Sequence, residues 1–133
     1  LKLPILAYLA EEGYRVVDVG CDSTDSVNYP DYADKLCNVI TSGKADIGIL
    51  ICGTGIGMSM AANKHPGIRA ACCENTYSAR MTRAHNDANV LCLGARVIGA
   101  GLAVDMVELF LNTDFLGGRH STRVEMLNEL DKR

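Results

Sequence analysis

The chain has 133 residues and a formal net charge of −3 at pH 7, with 48% hydrophobic and 22% charged residues. This length and composition fit one globular domain with one core. The weak negative charge gives no general attraction to nucleic acid or to an anionic membrane, and no apolar run approaches the roughly 20 residues of a membrane span. We therefore expect neither nucleic acid nor a membrane as a partner.

The first third of the chain predicts an alternation of helix and strand. A helix is predicted to end at Gly13, a typical C-terminal glycine, and a β-branched strand follows it. A polar stretch rich in Gly, Asp and Ser then predicts a loop, and a second helix begins at a Tyr-Pro pair. In order, these are residues 1–12, 14–19, 20–28 and 29–41.

The rest of the chain continues this alternation around one buried strand. That strand covers residues 46–51, whose apolar run leaves no polar face. A glycine loop and a helix over 58–64 come next. The remaining predicted strands cover 68–73 and 89–93, and the remaining predicted helices cover 76–84, 98–111 and 121–131.

Strands that alternate with helices predict a parallel sheet covered on both faces. We therefore expect an α/β fold, a three-layer Rossmann-like sandwich with a flavodoxin-like strand order, in one domain over residues 1–133. Such an order places the first strand in the sheet interior, yet the sequence opens at Leu1, without Met, inside a predicted helix. We expect a strand and a loop before Leu1.

The glycine loop after the central strand is the strongest functional signal. It reads Cys52-Gly53-Thr54-Gly55-Ile56-Gly57 and leads into a helix. Strand, loop and helix aim backbone N–H groups at one point, where negative charge is stabilised. A thiol there is a usable base or nucleophile. The loop matches neither the dinucleotide fingerprint nor the P-loop, so a purely structural turn and a non-catalytic nucleotide- or anion-binding module stay open.

The six cysteines indicate a reduced protein. None forms a C-x-x-C pair, and most lie in apolar strand-like runs where Cys acts as a small hydrophobe. No Cys/His set has the spacing of zinc ligands. We therefore expect a cytoplasmic protein without a metal or another cofactor.

A polar cluster follows the helix over 76–84. His85 is placed where that helix meets the next strand, and it could simply cap the helix, whose dipole favours a positive charge there. Asn86 and Asp87 add polar groups that a plain connection does not need. Because histidine titrates near neutral pH, His85 is a candidate for general acid/base chemistry.

Three arginines and one tyrosine are candidates for binding the substrate. Arg119 and Arg123 follow Gly117-Gly118 and lie four residues apart, on one face of a helix. Two guanidinium groups together suit a phosphate or a carboxylate, although each alone reads as solvated surface charge. Arg96 is a third candidate that could also pair with a carboxylate. Tyr29 could line a pocket or only begin its helix.

Taken together, these motifs resemble ribose-5-phosphate isomerase type B, whose wider family includes galactose-6-phosphate and allose-6-phosphate isomerases. The resemblance covers the chain from end to end and keeps the order and spacing of the motifs. They are the Cys52–Gly57 loop, Ala61-Ala62-Asn63-Lys64, His85-Asn86-Asp87, Leu93-Gly94-Ala95-Arg96 and Gly117-Gly118-Arg119-His120-x-x-Arg123.

This resemblance implies a homodimer or tetramer with active sites at the interface, and metal-free isomerisation of a sugar phosphate. Cys52 would move the C2 proton, with Thr54 beside it, and the amides of the Gly53–Gly57 loop, including Gly55 and Ile56, would hold the enediolate oxygen. His85 would assist ring opening. Asn86 would bind the sugar, Tyr29 could contact it, and Arg96, Arg119 and Arg123 would hold the phosphate. The family's first strand ends in an Asp-His pair that this sequence lacks. Ribose 5-phosphate is the expected substrate, with galactose 6-phosphate and allose 6-phosphate as alternatives.

Overall fold

A computed structural model describes residues 1–20 and 28–132. Most of the loop predicted over 20–28 therefore lies outside the described residues. The elements, in chain order, are α1 (Lys2–Glu11), α2 (Tyr29–Thr41), β1 (Gly48–Cys52), α3 (Ile56–Ala62), β2 (Ala70–Cys72), α4 (Thr76–Asn86), β3 (Val90–Gly94), α5 (Ala100–Asn112) and α6 (Arg119–Leu130).

The described sheet is parallel, with β3 between β1 and β2. All five residues of β3 are buried, as expected for the central strand of a sheet that is covered on both faces. The predicted parallel α/β class is confirmed. The flavodoxin-like order would place these three strands in chain order, and the structure differs. The fully apolar β3 takes the centre, and the short, half-buried β2 takes the edge.

Helices cover both faces of the sheet, as the three-layer prediction requires. Alternate residues of β3 point to opposite faces. Leu91 and Leu93 join a core with residues of α1, α4 and α5, which include Phe110. Val90 and Cys92 join a second core with residues of α2 and α3. The two cores thus pack helices against both faces of β1 and β3.

The strand predicted over residues 14–19 is wrong, because the described structure has neither strand nor helix there. Val16 and Val17 remain 42% and 51% exposed. A strand needs a neighbour to accept and donate its backbone hydrogen bonds. In the described part of the chain, β1 pairs only with β3. The other side of β1 faces a groove of about 810 Å³, which residues 14–20 line opposite Ile47–Ile51.

Candidate functional site

The Cys52 thiol lies at the carboxyl end of β1, where open parallel sheets bind ligands. Its side chain is half-buried, and the Gly55 N–H donates a hydrogen bond to Sγ at 3.1 Å. Gly55 has φ of +82° and caps the start of α3. This left-handed conformation, which glycine adopts without strain, folds the loop back over the sulfur. The sulfur of this half-buried side chain therefore sits beside a backbone donor.

The glycine loop is held by close backbone contacts with β3. A Cβ on Gly94 would lie 2.7 Å from the carbonyl carbon of Thr54, so only glycine fits there. The Cys72 thiol donates to the Thr54 carbonyl at 3.5 Å, and the Thr54 hydroxyl accepts from the Ile56 N–H at 3.2 Å. These contacts fix the loop before any ligand arrives, which is the preorganisation that charge stabilisation requires.

Two further predicted residues lie against the same loop. The Arg96 N–H donates to the Gly53 carbonyl at 3.0 Å, and a Cβ on Gly53 would meet the Arg96 side chain at 3.7 Å. Tyr29 packs on Gly57 so closely that a Cβ on Gly57 would lie 2.7 Å from the tyrosine ring. Cys52, Arg96 and Tyr29 therefore converge on one edge of the sheet.

Other thiols are poorly suited to act as a base. Burial raises the pKa of Cys37 and Cys73 to about 11, and burial also raises the pKa of Cys92. Burial, followed by the charges of Glu74 and Cys52, raises the pKa of Cys72. A raised pKa disfavours the thiolate, the form that acts as a base, in each of these four cysteines.

His85 and Asn86 lie in the last turn of α4, which an ion-pair network anchors. The helix ends at Asp87 in a left-handed conformation, with φ of +48°. The Asp87 carboxylate pairs with Arg83 at 3.0 Å and with Arg69 at 3.5 Å. These contacts fix the end of α4 and so orient the two residues that precede Asp87.

The arginine cluster lies beside His85. Arg119 and Arg123 are exposed in the first two turns of α6. Neither makes an ion pair within 4 Å in the described part of the chain. His120, between them in sequence, stacks its ring on that of His85 with centroids 4.2 Å apart. Two cations that have no carboxylate partner among the described residues, next to an imidazole, form a site that favours an anion.

The site residues predicted from the sequence form two separate groups within one chain. Cys52 lies at the carboxyl end of β1. Helix α4 begins after β2 and returns to the start of β3, so its last turn lies at the amino ends of the strands. Eleven helical residues span about 16 Å. One chain therefore does not bring His85, Asn86, Arg119 and Arg123 together with Cys52, the glycine loop, Arg96 and Tyr29.

Reasoning from the sequence gave no role to three residues that shape these groups. Gly94 and Cys72 hold the loop, and His120 is one of two buried polar residues among those the structure describes. Gly94 and His120 lie inside sequence motifs that were already noted, so the sequence pointed to both positions. The signal for Cys72 was only its place in an apolar run.

The described residues contain no group of three or more His, Cys, Asp or Glu side chains placed to hold a metal ion. Nor does any helix among them have the length and apolar character to cross a membrane.

Comparison with known proteins gives consistent results. The ribose/galactose isomerase family model matches residues 1–127. Ribose-5-phosphate isomerase B of Escherichia coli is 47% identical over 133 residues, which is all of this chain and 89% of that protein. D-erythrulose-4-phosphate isomerase of Pectobacterium atrosepticum is 47% identical over 128 residues, 96% of this chain and 84% of that protein. The structure of Clostridium thermocellum ribose-5-phosphate isomerase B has a TM-score of 0.96 at 53% identity, covering 98% of this chain and 88% of that one.

Proposed function

This chain belongs to the ribose/galactose isomerase family, and on that premise we propose that it interconverts ribose 5-phosphate and ribulose 5-phosphate. The observation that carries the proposal is the Cys52 thiol, half-buried at the carboxyl end of β1 and in contact with the Gly55 N–H. Sugar-phosphate isomerisation needs a base at this position and stabilisation of the charge that forms beside it. The loop supplies the base through Cys52 and the charge stabilisation through its backbone N–H groups.

In this mechanism Cys52 removes the proton from C2 and returns it to C1. The electron pair moves through an enediolate, whose negative oxygen is held by amides of the Gly53–Gly57 loop. One such donor is typically worth about 2.7–4 kcal/mol in the transition state. Thr54 keeps the loop in shape through its hydroxyl and carbonyl. Overall, one proton moves from C2 to C1 and one moves from the C2 hydroxyl to the C1 oxygen, so no electron leaves the sugar and no cofactor is needed.

A second copy of the chain completes this site in our proposal. Ring opening needs a proton donor at the ring oxygen, and His85 is our candidate, with Asn86 on the sugar. Both lie at the amino ends of the strands, together with Arg119 and Arg123, whereas Cys52 lies at the carboxyl end of β1. A twofold homodimer in which the amino ends of one copy's strands lie over the carboxyl ends of its partner's strands would bring the two groups together. The phosphate would then be held by Arg96 of one copy and by Arg119 and Arg123 of the other.

The identity of the substrate is tested by a direct assay on four sugar phosphates, in which the ketose and the aldose are measured separately. Ribose 5-phosphate is expected to give the highest kcat/KM. The panel also contains allose 6-phosphate, galactose 6-phosphate and D-erythrulose 4-phosphate, since the Pectobacterium relative carries the last name at the same 47% identity. A higher kcat/KM on another sugar phosphate of the panel would make that compound the proposed substrate. No turnover on any of the four would favour a binding module over an enzyme.

We also propose that a strand preceding Leu1 fills the groove beside β1. The groove runs between residues 14–20 and the side of β1 that pairs with no strand among the described residues, and Ile5, Leu9 and Leu50 are among its apolar lining residues. A parallel strand there would pair with β1 on one side and let residues 14–19 pair on the other. Thermal unfolding of the 133-residue chain, compared with a form that carries its natural preceding residues, tests this. An equal Tm for the two forms would contradict it.

We place the reaction in the cytoplasm. The five cysteines among the described residues are free thiols, which suits a reducing compartment. Fractionation of cells that express the natural chain would test this, and recovery outside the cytoplasmic fraction would contradict it.

A further inference from the structure

The proposed reaction uses His85 but gives no role to His120, whose ring stacks on that of His85. Their ring centroids lie 4.2 Å apart and the rings are inclined by only 11°. His85 comes from the last turn of α4, and His120 comes from the first turn of α6. Only 9% of His120 is exposed. A nearly parallel contact between two titratable rings makes the charge on one depend on the charge on the other.

The surroundings of this pair are positively charged. Within the described part of the chain, the charged groups that act on the His120 ring are His85 from α4 and Arg119 and Arg123 from its own helix. Burial first, and then these three groups, lower the pKa of His120. On the α4 side, Arg83 and Asp87 are paired with each other. Without a bound anion, a proton on His120 is therefore disfavoured by its neighbours.

We propose that the two stacked histidines take up one proton when an anion occupies the space beside Arg119 and Arg123, so that His85 becomes a proton donor only when substrate is bound. This inference rests on the proposed function for the role of His85. The proton comes from solvent on binding. On ring opening it passes from His85 to the ring oxygen, while the proton of the anomeric hydroxyl leaves to solvent, so no net proton is consumed. His120 acts here as a positioning residue.

The test follows the histidine C2–H signals by NMR through a pH titration, with and without inorganic phosphate at constant ionic strength. The chain has three histidines, and His65 serves as an internal control. Its Nε2 pairs with Asp34 at 2.7 Å, apart from the arginine cluster. With phosphate, the titration midpoints of His85 and His120 are expected to rise by about one pH unit, while that of His65 stays unchanged. Equal shifts of all three, or no shift at saturating phosphate, would overturn the proposal.

Two sets of variants separate coupling from a structural role. In His120→Gln, the His85 signal is expected to titrate in one simple step, whereas in the parent chain both signals share two macroscopic steps. In Arg119→Gln/Arg123→Gln, phosphate should no longer move either midpoint. A His85 curve that is the same in the parent and in His120→Gln would overturn the coupling. Because these readouts need no turnover, a chain that shows them but does not isomerise sugars would refute the proposed function alone.

Discussion

The Gly55 N–H lies 3.1 Å from Cys52 Sγ, so the turn that starts α3 is tied to the sulfur that precedes it by three residues. This hydrogen bond orients the sulfur at the mouth of the loop. The loop and the thiol therefore form one unit, and changes to either are expected to affect turnover.

Replacing the thiol tests this unit directly. Cys52→Ala is expected to lower kcat roughly 10²–10⁴-fold, the usual contribution of a general base, with the circular dichroism spectrum unchanged. Cys37→Ala is the matched control, because Cys37 is fully buried beside Ala62 and away from the loop. It should keep kcat and lower Tm modestly. Wild-type turnover by Cys52→Ala would remove Cys52 from the mechanism.

The close contact between Gly94 and Thr54 gives a second prediction. In Gly94→Ala the new Cβ would lie 2.7 Å from Thr54 backbone atoms, so the loop must move. Overpacking of this kind typically costs about 1–3 kcal/mol of stability, and kcat should fall because the amides no longer face the enediolate oxygen. Kinetics and urea unfolding measure the two effects.

Gly101→Ala is the control for that substitution. No atom lies within 4 Å of a Cβ at Gly101, which is inside α5. Alanine is favoured over glycine in a helix by up to about 1 kcal/mol, so this variant should be neutral or slightly stabilised and should keep its activity. If both glycine variants behave alike, the contact with Thr54 does not shape the loop.

Mixed dimers test whether two copies share each active site. Cys52→Ala and His85→Asn are each expected to be nearly inactive. In a dimer that contains one copy of each, one site has Cys52 and His85 intact, and the other site has neither. Random mixing of equal amounts should then restore about a quarter of wild-type activity, given a twofold-symmetric interface. Absence of recovery, with mixed dimers demonstrated by mass spectrometry, would place both residues of a site in one chain.

The ion pair between His65 and Asp34 predicts a pH-dependent part of the stability. The hydrogen bond that His65 Nε2–H donates to the Asp34 carboxylate is the main cause that raises the pKa of His65. A raised pKa in the folded state means that this contribution is complete below the unfolded value, near 6.5, and is lost as the pH rises through the folded value. Because Asp34 is largely exposed, the contribution should stay below about 1 kcal/mol.

Urea unfolding above and below this pH range checks whether the stability falls as the pH rises. The parent chain should lose more stability than His65→Gln on going from acidic to mildly alkaline pH, because the variant has no imidazolium to lose. At each pH, His65→Gln should have the same activity as the parent chain. An equal pH dependence of parent and variant would show that the pair contributes nothing.

Local patterns predicted most of the elements. The apolar run of Ile47 to Ile51 required a buried strand, the glycine after it required a turn, and the helices followed from apolar spacing and caps. The prediction failed at residues 14–19, where the β-branched side chains were right for a strand and no pairing partner lies beside them in the described structure. Strand propensity reports a fit to a half-buried pleated surface, and it cannot supply the neighbour.

By itself, the sequence determined the parallel α/β class and the chemistry available to the site, because helix and strand periodicity, the glycine loop after Cys52 and the paired arginines are local properties. Only the tertiary structure decided that β3 lies between β1 and β2, that His120 stacks on His85, and that Cys52 and His85 lie at opposite edges of the sheet. Strand order and helix direction depend on contacts between residues far apart in the chain, so no local spacing encodes them.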